Sequence, residues 1–318
     1  MIIDAHVHVM SSASLQDLGD KIQTSEDLIA FRTRYPEAFV AATTEPPIDN
    51  SDDLLLDMDR YGVGYAMVMA KPGPVGLEDV AKVVAKHPDR LFGLFSFAKD
   101  QQLTGVYLDD PTPIREQAVS EIDRCITELG FKGMGETFIR TLTAEIHPER
   151  IARDFEPIMR KLAQHKAPIQ IMTAWTQFRG GLWFGDPIWV DELAGRHPDV
   201  PVILTKMGRG IQTYFDHALA VALRNENVYF DTVGTSPEHL RIAVDKLGAH
   251  RIMFGTDWSA TWSWVRKPAD LYTIRLGVIE KADLSPADRE QVLWKTAVKV
   301  FDLPIDLTTG KLLPSRTS

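Results

Sequence analysis

The stretch PVILTKMG, residues 201–208, runs through Val202, Ile203 and Leu204 without a polar break. A strand with one wet face would alternate, so this one reads as buried on both faces, the pattern of a parallel sheet covered by helices. Then Lys206 appears, followed by Met207 and Gly208. A lysine at the mouth of a buried strand is costly unless something pairs with it. The stretch therefore calls for other strands like it, and for charges that converge where it ends.

Seven further runs meet the first demand: IIDAHVHV (2–9), GYAMVMA (64–70), LFGLFSF (91–97), FKGMGE (131–136), PIQIMTA (168–174), VYFDTVG (228–234) and RIMFGTDW (251–258). Amphipathic stretches such as DRCITELG, FEPIMRKLAQHKA, IWVDELAGRHPDV and EHLRIAVDKLGAHR lie between them. SPADREQVLWKTAVKVFDL closes the core, with Ser285 placed to cap and Asp288 at the third helical position. Eight strands alternating with helices predict an α/β fold, a distorted (β/α)8 TIM-type barrel. A doubly wound open sheet is the alternative, but no glycine-rich phosphate loop follows the first strand. Residues 11–50 and 98–114 are longer than a barrel needs, and both follow strand C-termini, which puts long loops on the catalytic face. Residues 1–305 read as a single domain and 306–318 as a polar C-terminal tail.

Of the 318 residues, 44% are hydrophobic and 25% charged, an ordinary globular balance. A net charge of −9 without basic runs argues against nucleic acid or an anionic membrane as partner. The single cysteine, Cys125, excludes an intrachain disulfide and a thiolate metal cluster, and its helical context makes it core filler. MIIDAHVHVM lacks the charged and apolar regions of a signal peptide, and no apolar run reaches the ~18 residues of a membrane span. A cytoplasmic location is the expectation.

The second demand, convergent charge, has three sources. His6 and His8 stand two apart on the first strand, so both point to one face, at the barrel mouth. Two imidazoles there can share a divalent ion, although an H-x-H alone also occurs as a hydrogen-bonded pair. Asp257 ends the last strand, where a carboxylate can ligate a metal, act as general base or cap the next loop. Glu136 ends FKGMGE and is placed to complete a metal site or to pair with a nearby cation. His87, His197 and His250 fall at helix-to-strand junctions on the opposite face, where helix C-termini favour histidine. His239 is the outside candidate near the seventh strand. Tyr65, Met67, Met69 and Phe95 read as barrel core.

Taken in order, DAHVH (4–8), GFKGMGE (130–136), HPDVPVILTKMGRG (197–210), NVYFDTVG (227–234), LGAHRIMFGTDW (247–258) and the closing WKTAVKVFDL resemble the amidohydrolase superfamily, in its amidohydrolase-related branch. The resemblance spans residues 1 to 303. It implies a metal at the strand C-termini, with His6 and His8 as ligands and Asp257 as ligand or catalytic acid-base. It also implies histidines after the fifth and sixth strands, where this chain has Met172 and Lys206. A thioether is a poor ligand for hard or borderline ions, and an ammonium does not ligate. Three readings stay open. One divalent metal, zinc being expected, is held by His6, His8, Glu136 and Asp257, with Lys206 as a neighbouring catalytic cation. Alternatively the site is metal-free, and Lys206 pairs with the carboxylates. As a third reading, the protein is a ligand-binding pseudoenzyme.

Aromatic residues gather in WTQFRGGLWFGDPIW and WSATWSW, after the fifth and eighth strands. Trp175, Arg179, Arg209, Trp258 and Trp262 are the expected substrate-binding residues, for a small ring-bearing compound with a carboxylate. The leading expectation is hydrolysis of an amide or lactone-type C–N or C–O bond, with Asp257 as base and Lys206 stabilising negative charge. The alternative is a non-oxidative decarboxylase or lyase on the same scaffold. Dimers are common in the family resembled, so a homodimer is a further expectation.

Overall fold

The runs of apolar residues form short parallel strands, because both of their faces find cover. In the computed structural model, which describes residues 1–13, 26, 45–69, 76–96, 112–137, 147–175, 181–259 and 271–314, these are β1 (Ile3–His8), β2 (Tyr65–Met69), β3 (Leu91–Leu94), β4 (Met134–Thr137), β5 (Ile169–Ile171), β6 (Val202–Leu204), β7 (Val228–Asp231) and β8 (Ile252–Met253). Each pairs in parallel with its sequence neighbours. The sheet passes from β3 to β4 through the Phe95–Met134 bridge. It closes where Ala5 N–H donates to the Phe254 carbonyl at 2.9 Å, and Trp258 and Ser259 then pair with Val7 and His8. Closure excludes the open doubly wound sheet.

Helices α1 (Ser51–Tyr61), α2 (Leu77–Lys86), α3 (Thr112–Thr127), α4 (Pro148–His165), α5 (Asp191–Arg196), α6 (Gln212–Arg224), α7 (Pro237–Leu247) and α8 (Leu271–Lys281) follow the successive strands. Their starts are written locally. Before α7, the Ser236 hydroxyl accepts the His239 N–H, and Pro237 fills the first position, where its missing N–H costs nothing. Ser285 accepts the Asp288 N–H as expected, while its own hydroxyl donates to the Asp288 carboxylate. In α4, Ile151, Phe155, Ile158, Met159 and Leu162 are buried, one face at helical spacing. Each such side chain contributes about 1.5–3 kcal/mol, and Phe155→Ala would cost about 3–5 kcal/mol.

Two apolar layers result. The outer layer lies between strands and helices and holds Cys125, buried as expected. The inner layer includes Ile3, Ala5, Met67, Met69, Phe92, Leu94 and Ile203, and Trp294, Val298 and Phe301 of the closing helical segment pack into it. Tyr65 packs against this inner layer. Phe95 belongs instead to the outer one, stacked near Phe131, because alternation along β3 turns Leu91 and Phe95 outward and Phe92 and Leu94 inward. Residues 306–314, expected as a tail, fold back: Asp306 accepts from Thr308 and Thr309, and Ile305 bridges Leu312. Among the described residues, no helix is long and apolar enough to cross a membrane.

Candidate active site

The strand C-termini bring together residues from four strands. The register of β1 slips between Asp4 and Val7. Below the slip Ile3 and Ala5 face the inner layer; above it Val7 and Val9 face the outer one. The irregularity re-aims His6 and His8 into the barrel mouth. Their rings meet edge to face, centroids 5.2 Å apart. Glu136 arrives on β4, Lys206 just after β6 and Asp257 just after β8.

Lys206 and Asp257 both have left-handed backbones, φ 73° and 62°. For residues other than glycine this costs roughly 1–2 kcal/mol each, so the surroundings must hold them there. Asp231 holds Lys206: its Oδ1 accepts the Lys206 N–H at 2.6 Å. The His6 carbonyl accepts the Asp257 N–H at 2.9 Å.

Each carboxylate divides its two oxygens. Glu136 Oε1 accepts from the Thr205 hydroxyl at 3.0 Å and lies 3.2 Å from Lys206 Nζ. Asp257 Oδ2 accepts from Lys206 Nζ at 3.0 Å. The other two oxygens face the imidazoles. Glu136 Oε2 is 3.8 Å from His6 Nε2 and 3.6 Å from His8 Nε2; Asp257 Oδ1 is 3.6 and 3.5 Å from them. Lys206 is thus the buried cation that the two carboxylates share, which answers the question its position raised.

Burial works against every charge in this cluster, and mutual attraction outweighs it. Burial would lower the Lys206 pKa, but Asp257 and Glu136 raise it above the usual lysine value. Burial would raise Asp257, yet Lys206, His6 and His8 hold it well below the carboxylate range, and Glu136 is shifted down in the same way. Lys206 therefore stands as a fixed ammonium rather than a base.

The donor atoms fit a divalent ion. Two imidazole nitrogens and two carboxylate oxygens, with no sulfur, suit Zn²⁺ or Mn²⁺. Neighbouring ligands around an ion at ~2.0–2.2 Å sit roughly 3.3–3.6 Å apart in a tetrahedral set. Three of the four nitrogen–oxygen distances, 3.5 to 3.6 Å, fall in that range, and the Glu136–His6 distance of 3.8 Å is longer. Buried His6 Nε2 has no hydrogen-bond partner, while its Nδ1 is 2.7 Å from Asp231 Oδ2. His6, His8 and Glu136 each offer an atom within 4.8 Å of the others.

Of the expected substrate residues, Trp175 and Arg209 come together: the guanidinium lies 4.7 Å over the indole and donates to the Trp175 carbonyl at 3.2 Å. Trp258 is a correction. It is buried in the outer layer, and its indole N–H donates to Asp57 of α1 at 2.8 Å. The chain keeps its strand pairing at this point, so Trp258 shares the outward side of its partner Val7. Arg179 and Trp262 lie outside the described residues, as do most of the two long loops. Met172 is buried directly after β5. His239 stays away from the cluster, with Nε2 on Gln212 and its ring stacked on Phe215.

Three residues escaped the sequence reading. Asp231 ends β7, where the carboxylate of VYFD reads as an ordinary strand end. Asp4, buried and pushed up to about 6 by desolvation, accepts from Thr256 and Tyr272 and ties β1 to the last strand and to α8. Arg275 of α8 donates to the Thr256 carbonyl at 3.3 Å and feels the charge of Asp257. Only the D-x-H-x-H context gave a signal for Asp4, and none pointed to Arg275.

A family model described as Amidohydrolase matches residues 3–303. Gamma-resorcylate decarboxylase from Polaromonas sp. (strain JS666 / ATCC BAA-500) is 24% identical over 263 residues, covering 70% of this chain and 74% of the relative. The dihydroxybenzoic acid decarboxylase structure from Polaromonas sp. JS666, with bound manganese and the inhibitor 2-nitroresorcinol, superposes with TM-score 0.62 at 18% identity, covering 95% and 96% of the two chains. A probable 2-pyrone-4,6-dicarboxylic acid hydrolase from Acinetobacter baumannii, with citric acid bound, gives TM-score 0.58 at 13% identity over 95% and 99%.

Proposed function

The chain belongs to the amidohydrolase family, and on that premise we propose that it is a divalent-metal-dependent, non-oxidative decarboxylase of a small hydroxylated aromatic carboxylate. The observation that carries this reading is the ammonium of Lys206 set between Glu136 and Asp257, its Nζ 3.2 and 3.0 Å from them, beside His6 and His8. The similarity to decarboxylases acting on dihydroxybenzoates supports it. The hydrolytic reading assigns Asp257 as base towards water. Burial alone would raise Asp257, but Lys206 and the imidazoles hold it well below the carboxylate range, and so weak a base is poorly matched to that task.

His6, His8, Glu136 and Asp257 would hold the ion, which supplies Lewis-acid stabilisation of negative charge when bound. Arg209, pre-stacked on Trp175, binds the anionic end of the substrate and orients the ring. In the reaction the carboxylate carbon leaves as CO2, the electron pair stays on the ring carbon, and one proton replaces it. Lys206 stabilises the charge that develops during this step. That proton comes from solvent, since Lys206 and the imidazoles keep Asp257 ionised. Zinc remains the alternative to manganese, because the donor set accommodates both.

The test is incubation of Mn²⁺-loaded protein with mono- and dihydroxybenzoates, following CO2 release and product formation. In H2¹⁸O, decarboxylation leaves the phenolic product unlabelled. A ring-opened or hydrolysed product carrying ¹⁸O, without CO2, would refute the proposal.

A further inference from the structure

We infer that Asp231 is a positioning residue that fixes the tautomer of His6 and so makes its Nε2 available as a ligand; the inference rests on the proposed reading of His6 as a metal ligand. Asp231 is fully buried at the end of β7. Its Oδ1 accepts two backbone N–H groups, from Lys206 at 2.6 Å and Val233 at 3.1 Å. Its Oδ2 lies 2.7 Å from His6 Nδ1.

With Oδ1 accepting two backbone N–H groups, Asp231 is the acceptor here and His6 Nδ1 donates to Oδ2, so in the neutral ring the lone pair lies on Nε2. That Nε2 is the buried atom without a hydrogen-bond partner, and it faces Glu136 and Asp257. The same carboxylate anchors the left-handed backbone from which Lys206 reaches those two acids. One buried side chain therefore registers a ligand on β1 against the cation after β6. Partners of this kind fix ring orientation and ligand basicity, and their loss typically weakens metal affinity 10–100-fold.

The replacement Asp231→Asn separates this role from simple space-filling. The amide oxygen must face the N–H groups of Lys206 and Val233, because turning it round would set an NH2 against them. The amide nitrogen then faces His6 Nδ1 and donates to it. The ring hydrogen moves to Nε2, which loses its lone pair.

The experiment has two readouts. Nitrogen-15 NMR of metal-free protein, recorded at a pH high enough to neutralise the ring, should show His6 as the Nδ1–H tautomer in wild type and as the Nε2–H tautomer in Asp231→Asn. Competitive titration should show Mn²⁺ bound ~10–100-fold more weakly by the variant. A wild-type Nε2–H tautomer, or equal Mn²⁺ affinity of both proteins, overturns the inference. Wild-type protein with the Nδ1–H tautomer that takes up no Mn²⁺ supports the ring positioning and overturns the metal reading. If Asp231→Asn does not fold, the wild-type tautomer decides alone.

Discussion

Replacing Lys206 by Met tests the charge balance of the site. Nζ lies 3.0 Å from Asp257 and 3.2 Å from Glu136. At an effective dielectric near 20, each contact is worth about 5 kcal/mol of gross attraction. Desolvation of the three groups offsets most of it, and breaking a buried pair from one side costs about 3–5 kcal/mol net. Methionine keeps the packing but takes the shared cation from buried Glu136 and half-buried Asp257. For a domain of this size, at ~2 °C per kcal/mol, the metal-free variant should melt about 6–10 °C below wild type. Differential scanning calorimetry without and with Mn²⁺ reads both the loss and its rescue. The variant should gain more from the ion than wild type does, because a competing cation has gone and binding stabilises by mass action. A metal-free variant melting within a degree of wild type, or an equal gain from Mn²⁺ in both proteins, would refute the reasoning.

Other predictions follow from single contacts. Arg209→Leu should raise KM for a carboxylate substrate about 10–100-fold with a smaller change in kcat, measured by steady-state kinetics, since a charge-assisted contact is worth about 1.5–3 kcal/mol. Gly208→Ala should lower the melting temperature: φ is +76°, and the new Cβ would sit 2.5 Å from Phe215 N and 2.7 Å from its Cα. Cys125, its thiol pushed up to about 12 chiefly by burial, should resist iodoacetamide at pH 8 until the protein unfolds. The sign for stability follows: the folded state keeps the proton longer, so this contribution is complete below pH ~9 and is lost as pH rises towards 12.

Much of the site was legible because strand period and strand ends are local signals. The two-residue spacing of His6 and His8, with Glu136, Lys206 and Asp257 each at a strand exit, fixes which side chains meet. The slip in β1 was not legible. It sends Asp4 to Tyr272 instead of alongside the histidines, and alternation alone cannot reveal it. Trp258 misled for a related reason: a tryptophan beyond Asp257 looks like loop, yet the chain there still pairs with Val7 and His8. Asp231 and Arg275 draw their meaning from partners 225 and 19 residues away in sequence, His6 and Thr256.

The most direct measurement is the metal content of the purified protein set against its decarboxylase activity before and after chelation. The account predicts about one divalent ion per chain, loss of CO2 release on stripping, and its return with Mn²⁺. Metal-free protein that releases CO2 at an undiminished rate after chelation would contradict it.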